Sequence, residues 1–222
     1  MSIKTSNLKS MEGYDKLHKE GGFADERESY EVVAALLKGK RAVDIGCGSG
    51  FIESICSDII GCDFSFEALQ IARANGAKRL IQCSADNLPF KENSFEVSVS
   101  FGVLEHIINQ EEAISEMARI SEAQIFIVHA SLPYGLELIR KPILRLFGLK
   151  DQPVEIPFSR DRLKKLVNNS GLKIIFEGFW NYVDLRWLFR WIPYGIVKWP
   201  SHHLLITIKS KNIRREFTGE IF

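Results

Sequence analysis

The sequence predicts an α/β fold built on a doubly wound, mostly parallel sheet. Three observations carry that expectation. Over the first 130 residues, short apolar runs of strand length alternate with segments of helical period, which places parallel strands side by side through right-handed crossovers. Residues 43–51, Val-Asp-Ile-Gly-Cys-Gly-Ser-Gly-Phe, end an apolar run in glycines at alternate positions, Gly46, Gly48 and Gly50. Asp63 closes the next apolar run, nineteen residues after Asp44. A glycine loop after one strand and a carboxylate ending the next is how such sheets hold the ribose of a nucleoside.

In chain order, residues 1–25 are polar and glycine-punctuated and read as an arm with a short helix; residues 26–222 read as a single domain. Asp25 to Leu37 sets Tyr30, Val33, Ala34 and Leu37 at helical spacing, and Gly39 ends the helix. Arg41–Gly46 is the first strand, followed by the glycine loop and a short helix to about Cys56. Asp58–Asp63 is the second strand. Ser65 caps a helix carrying Ala68, Leu69, Ile71 and Ala72, which Asn75-Gly76 stops. Arg79–Cys83 is the third strand. Phe95–Phe101 is the fourth and runs into Gly102. Gln110–Ile120 is helical and Ala123–Ala130 is the fifth strand. Beyond Pro133 the alternation changes. Leu136–Leu149 is apolar and basic and suits an extra helix, and Ser159–Ser170 has a cap and helical period. Leu172–Trp180 and Leu204–Lys209 are strand-like with no ordinary helix between them, which suggests an antiparallel hairpin at the sheet edge.

A chain of 222 residues with net charge +1 has room for a substantial core. Its near-balance of charge argues against a general electrostatic nucleic-acid binder, so no nucleic-acid partner is expected. Cys47, Cys56, Cys62 and Cys83 form no C-x-x-C pair, and the expectation is four buried thiols with no metal site. The polar N-terminus lacks the apolar core of a secretory signal, and no run of about 18 apolar residues occurs. A cytoplasmic protein is expected.

The loop departs from a dinucleotide fingerprint. Where G-x-G-x-x-G needs its third glycine, this chain has Phe51, and no Gly-Lys-Ser/Thr follows to make a phosphate loop. Asp44-Ile-Gly-Cys-Gly-Ser-Gly, the carboxylate Asp63, the loop Ala85-Asp86-Asn87-Leu88-Pro89-Phe90 and the stretch FEVSVSFGVLEH (Phe95–His106) together resemble the class I S-adenosylmethionine-dependent methyltransferases, in particular the small-molecule group that includes the ubiquinone-biosynthesis C-methyltransferases. The resemblance runs motif by motif from about residue 14 to 135. It implies a Rossmann-like seven-stranded sheet of order 3-2-1-4-5-7-6 with strand seven antiparallel. It also implies S-adenosylmethionine as cofactor and S-adenosylhomocysteine as product. The positions it implies at the cofactor are Tyr14, Asp44, Gly46, Cys47, Gly48, Gly50, Asp63, Phe64, Ala85, Asp86, Asn87, Leu88, Phe101 and Gly102. Asp63 would grip both ribose hydroxyls and Asp86 would accept from the adenine amino group. Tyr14-Asp15 would belong to a lid.

The chemistry suits these groups. S-adenosylmethionine carries no phosphate, so the loop needs no cation. Its ribose diol offers two donors that one carboxylate can accept together. Its sulfonium is stabilised by carbonyl dipoles and aromatic faces, for which Tyr14 and Phe101 are candidates. Against these readings stand plainer ones. Asp63 could be a turn aspartate, Asp86 an ordinary loop residue, and residues 1–25 an undocked arm. Asp44 is expected to act indirectly, and Cys47 as a small loop residue rather than a nucleophile. His106, just after strand four, is the candidate general base, set against a histidine that merely shapes the pocket. His129, at the end of strand five, is the weaker candidate.

Two insertions, at about 136–157 and 182–199, combine apolar, aromatic and basic residues. The second holds Trp187, Phe189, Trp191 and Trp199 with Arg186, Arg190 and Lys198; Pro193 and Gly195 break it, which favours lid or core over peripheral membrane contact. The expected activity is methyl transfer to a small-molecule acceptor, aromatic or lipid-like. Its rivals are a catalytically inactive S-adenosylmethionine-binding partner protein and a nicotinamide-dependent oxidoreductase.

Overall fold

Apolar residues at period two dictate the centre of the molecule. In the computed structural model, β1 (Ala42–Ile45) is buried at every position and β4 (Phe95–Phe101) at all but Glu96. Strands buried on both faces need a covering layer on each side. The structure describes residues 12–16, 27–129, 156, 158–184 and 198–210.

With β2 (Ile60–Asp63), β3 (Leu80–Gln82), β5 (Ser121–His129), β6 (Leu172–Asp184) and β7 (Lys198–Lys209), the strands form one sheet in the order β3-β2-β1-β4-β5-β7-β6. The pairs β3–β2, β2–β1, β1–β4 and β4–β5 are parallel, and β7 runs antiparallel to both β5 and β6. Both the order and the reversed last strand are as the family resemblance implied.

Alternation along the strands divides the core. Val43, Ile45, Phe126 and Val128 face a cluster that includes Ile114 and Met117 of α5 (Gln110–Ile120) and Leu163 of α6 (Arg160–Asn169). Ala42, Val97, Val99, Ile125 and Ile127 face the other side, against Val33 and Leu37 of α2 (Arg27–Leu37) and Ile52 of α3 (Phe51–Ile55). A short helix, α1, covers residues 12–16. Helix α4 (Phe66–Ala74) begins at Ser65, whose hydroxyl accepts from the Ala68 amide, and Ser159 caps α6 the same way through the Arg162 amide.

The hairpin departs from expectation. Both strands reach further, to Asp184 and back to Lys198, with a register shift between Ile174 and Phe176. The ends of the aromatic segment 182–199 therefore continue the sheet. Pro200 pairs with Tyr182 on β6, beyond the last described β5–β7 pair, His129↔His202. The expected helix at Leu136–Leu149 and the centre of the aromatic segment lie outside the described residues. No helix among the described residues is long and apolar enough to cross a membrane.

Parallel strands β1 and β4 lie side by side at the point where the strand order reverses, with β2 and β3 to one side and β5 to the other. The crevice outside their carboxyl ends is where ligands bind in such sheets. The glycine loop, Gly102 and the turn Leu104–His106 all lie at that edge.

Candidate functional site

The glycine loop is tied down at both ends. The amides of Gly46 and Cys47 both donate to the Cys62 carbonyl, at 2.7 and 2.9 Å. Gly46 has φ +81°, and a Cβ there would lie 2.4 Å from a methyl of Val103. Glycine is thus required twice, by backbone conformation and by space. Across the crevice the Gly48 amide donates to Asp63 Oδ2 at 2.9 Å, and the Ser65 amide donates to Oδ1 at 2.9 Å. The Gly48 and Ser65 amides thus orient the two carboxylate oxygens, which keep lone-pair capacity for further donors.

Asp63 sits in acidic company. Asp44 and Glu53 are buried beneath the same loop, close enough for each to disturb the other's charge. Burial, then the charges of Glu53 and Asp63, push the Asp44 carboxyl well up. Burial likewise raises Glu53 to about 7. Burial and like charge together disfavour ionisation of both carboxyls at once. Asp63 rises to about 6 through burial, opposed by the amides of Ser65, Gly48 and Phe64. The Cys47 thiol is held protonated by burial and by these neighbouring acids, so it is no nucleophile. All four cysteines are free.

Helix α1 docks at this edge. Tyr14 is 6% exposed, its ring edge-on to Phe64 (5.6 Å) and His106 (5.8 Å). Asp15 accepts from the Ser65 hydroxyl, so the side chain that caps α4 also anchors α1. The Phe101 ring, a candidate at the sulfonium, packs on Tyr30 (4.6 Å) and His202 (5.5 Å) in the α2-side core. Its backbone still leads into Gly102.

The segment Ala85–Phe90 is held by a clamp the sequence did not reveal. Asp86 accepts from Ser84 Oγ and from Asn109 Nδ2, the latter at 2.7 Å. The Leu88 amide donates to Glu116 Oε2 at 2.8 Å, while Arg119 donates to the carbonyls of Phe90 (2.7 Å) and Leu88 (3.0 Å) and to both Glu116 oxygens. Leu88 is buried, Ala85 packs against the core, and Asn87 bridges back to Ser84.

At the ends of β4 and β5 the structure pairs His129 with Glu105. Glu105 Oε1 accepts from His129 Nδ1 at 2.6 Å and from the His129 amide at 3.0 Å. His106, the candidate base from the sequence, faces Tyr14 instead. Among the described residues no group of acids, histidines or cysteines is arranged to hold a metal ion.

These residues suit a nucleoside whose ligand groups carry no phosphate. From Ala42 to Ala72 the chain has no lysine or arginine, and three buried acids underlie the loop. A diphosphate would meet repulsion there. A ribose diol would meet the paired acceptor oxygens of Asp63, and a sulfonium would meet an acidic field. The site fits S-adenosylmethionine.

Comparison with known proteins agrees. Residues 43–125 match the family described as a methyltransferase domain. The chain is 31% identical over 159 residues to an uncharacterized protein of Methanocaldococcus jannaschii, covering 67% of this chain and 68% of that one. It is 34% identical over 147 residues to a second uncharacterized protein of that organism, covering 65% of this chain and 58% of that one. It is 37% identical over 87 residues to the probable tRNA methyltransferase 9B of Mus musculus, covering 37% of this chain and 19% of that one. The chain thus spans little more than half, or as little as a fifth, of these latter two. A SAM-dependent methyltransferase of Thermotoga maritima superposes with TM-score 0.66 at 18% identity, over 89% of this chain and 99% of that one. Magnesium protoporphyrin IX methyltransferase of Synechocystis, solved with bound S-adenosylhomocysteine, gives 0.59 at 18% identity, over 83% of each chain. The chain belongs to the class I S-adenosylmethionine-dependent methyltransferases.

Proposed function

We propose that this chain transfers the methyl group of S-adenosylmethionine to a small-molecule acceptor, aromatic or amphiphilic in character. The observation that carries the reading is the Asp63 carboxylate, fixed by the Gly48 and Ser65 amides at the mouth of the glycine loop. When bound, S-adenosylmethionine supplies an electrophilic methyl on a positively charged sulfur. The chain's own residues do the rest. Asp63 takes the ribose hydroxyls, and Asp86, held by Ser84 and Asn109, orients the adenine. Tyr14 covers this edge and excludes water, so helix α1 acts as a lid there. Rate enhancement in such a transfer comes mainly from holding donor and acceptor in line and in contact.

The mixture of aromatic and basic residues at 136–157 and 182–199 supports an acceptor with an extended apolar part. A second reading, tRNA as acceptor, is favoured by the names of relatives such as tRNA methyltransferase 9B. The near-zero net charge weighs against it.

Calorimetric titration with S-adenosylmethionine, S-adenosylhomocysteine and NADH, on wild type and Asp63→Ala, tests the cofactor. Micromolar binding of the adenosyl compounds, lost in the variant, is the expected outcome; binding of NADH alone overturns the reading. Radiolabelled methyl transfer to hydroxylated amphiphiles and to total tRNA then decides between acceptors.

A further inference from the structure

The structure assigns a general base to this chain: His129, oriented by the buried carboxylate of Glu105, at the reacting end of the site. The inference rests on the cofactor reading above and names the class of acceptor, a protic O–H or N–H nucleophile.

The two residues come from different elements. Glu105 lies in the turn after β4, and His129 is the last residue of β5. Glu105 is 4% exposed on its side chain, whereas His129 is 49% exposed. A buried acid thus holds an imidazole that reaches solvent. One carboxylate oxygen accepts both the backbone amide and Nδ1 of His129. An ionised carboxylate only accepts, so Nδ1 carries the proton and Nε2 is the basic nitrogen of the neutral ring. Burial alone would raise Glu105, but the hydrogen bond and charge of His129, with the charge of His106, hold it below its ordinary value. Glu105 Oε2 is buried with no hydrogen-bond partner among the described residues. A carboxylate in such a place matches a neighbour that gains positive charge when it works as a base.

Position ties this pair to the methyl-transfer end. Gly102 follows β4 with φ +63°, and a Cβ there would sit 3.1 Å from His129 Cε1. The absent side chain lets the imidazole lie against the turn at the carboxyl end of β4. The ring is also faced by His202 of β7, at 4.9 Å between centroids. Among the described residues, Glu105, His106 and His202 are titratable groups near it.

In the step, the acceptor's O–H or N–H bond breaks and its proton passes to His129 Nε2. The acceptor's electron pair forms the new bond to the methyl carbon. The carbon–sulfur bond breaks with its electrons left on sulfur, and the imidazolium then returns its proton to water. Charge and atoms balance without an oxidant or further reactant.

The test is an NMR pH titration of the His129 imidazole in the full chain, assigned with His129→Gln. It is run on free protein and on complexes with S-adenosylmethionine and with S-adenosylhomocysteine, whose binding calorimetry confirms beforehand. A base at the reacting end senses the sulfonium charge, so its midpoint falls in the S-adenosylmethionine complex relative to the S-adenosylhomocysteine complex. In free protein, Glu105→Gln keeps an acceptor oxygen but removes the charge, and it lowers the midpoint. Coincident midpoints in the two complexes overturn the placement of His129. An unchanged midpoint in Glu105→Gln overturns the pairing. Failure of both compounds to bind wild type overturns the cofactor reading itself and, with it, the base role; the Glu105→Gln titration in free protein still judges the pairing alone.

Discussion

The Gly48 amide donates a 2.9 Å hydrogen bond to Asp63 Oδ2, so the glycine loop and the second strand meet at one carboxylate. Any change to that carboxylate reaches the loop as well.

Asp63 links cofactor affinity and stability to pH with opposite signs. Its folded pKa, and that of Glu53, are raised to about 6 and about 7. A raised carboxyl contributes stability that is full below its unfolded value, near 4, and is lost as pH rises through the folded value. Each unit is worth about 1.4 kcal/mol. The cofactor-free protein should therefore melt lower at pH 7.5 than at pH 5.5. Ribose hydroxyls need the ionised form, so affinity for S-adenosylhomocysteine should rise across the same range. Asp63→Asn should weaken binding roughly 100-fold and flatten its pH dependence. Scanning calorimetry and titration at stepped pH read both.

Gly46→Ala places a methyl 2.4 Å from a methyl of Val103 in a left-handed backbone. A stability loss of about 2–4 kcal/mol is expected from strain and overpacking together. The further variant Val103→Ala on that background should recover part of it by opening space, measured by urea denaturation.

Arg119→Met removes the donors to the Phe90 and Leu88 carbonyls and leaves Glu116 without its ion-pair partner, though still bonded by the Leu88 amide. The loss should be about 1–2 kcal/mol, limited by partial exposure of the clamp. Cofactor affinity should fall with stability, because the clamp holds the Asp86 loop. Affinity measured well below the melting temperature separates the two effects.

On the far sheet edge, Glu177 accepts from Arg160, Lys164 and His203, and the Arg160 bond above all holds its carboxyl down to about 2. A depressed carboxylate contributes stability above its unfolded value that is lost as pH falls through the folded one. Wild type should lose stability steadily from about pH 4.5 towards 2, and Glu177→Gln should show a shallower decline over that window in acid-denaturation curves.

Much of this molecule was readable in advance, for reasons that differ by residue. Ser65 and Ser159 declare helix starts locally, and both cap as expected. Asp63 was legible because loop and carboxylate stand at a fixed separation across one crossover. The side taken by the Phe101 ring was not legible because β4 is buried on both faces, so apolar content cannot say which way a ring turns. Glu105 and His129 are twenty-four residues apart, joined only by the β4–β5 register. Glu116 and Arg119 look like an ordinary helix-surface ion pair until the loop they hold is seen.

Gly61 lies within β2, where a side chain's first carbon would come within 2.9 Å of both Glu53 Oε1 and Cys47 Sγ. The bare backbone on one strand makes the room that the acid beneath the loop occupies. Gly61 is therefore constrained under divergence from more than one side. Shrinking the acid alone does not free the strand to gain a side chain, because Cys47 Sγ (2.9 Å) and Leu80 Cδ2 (3.0 Å) crowd the same point.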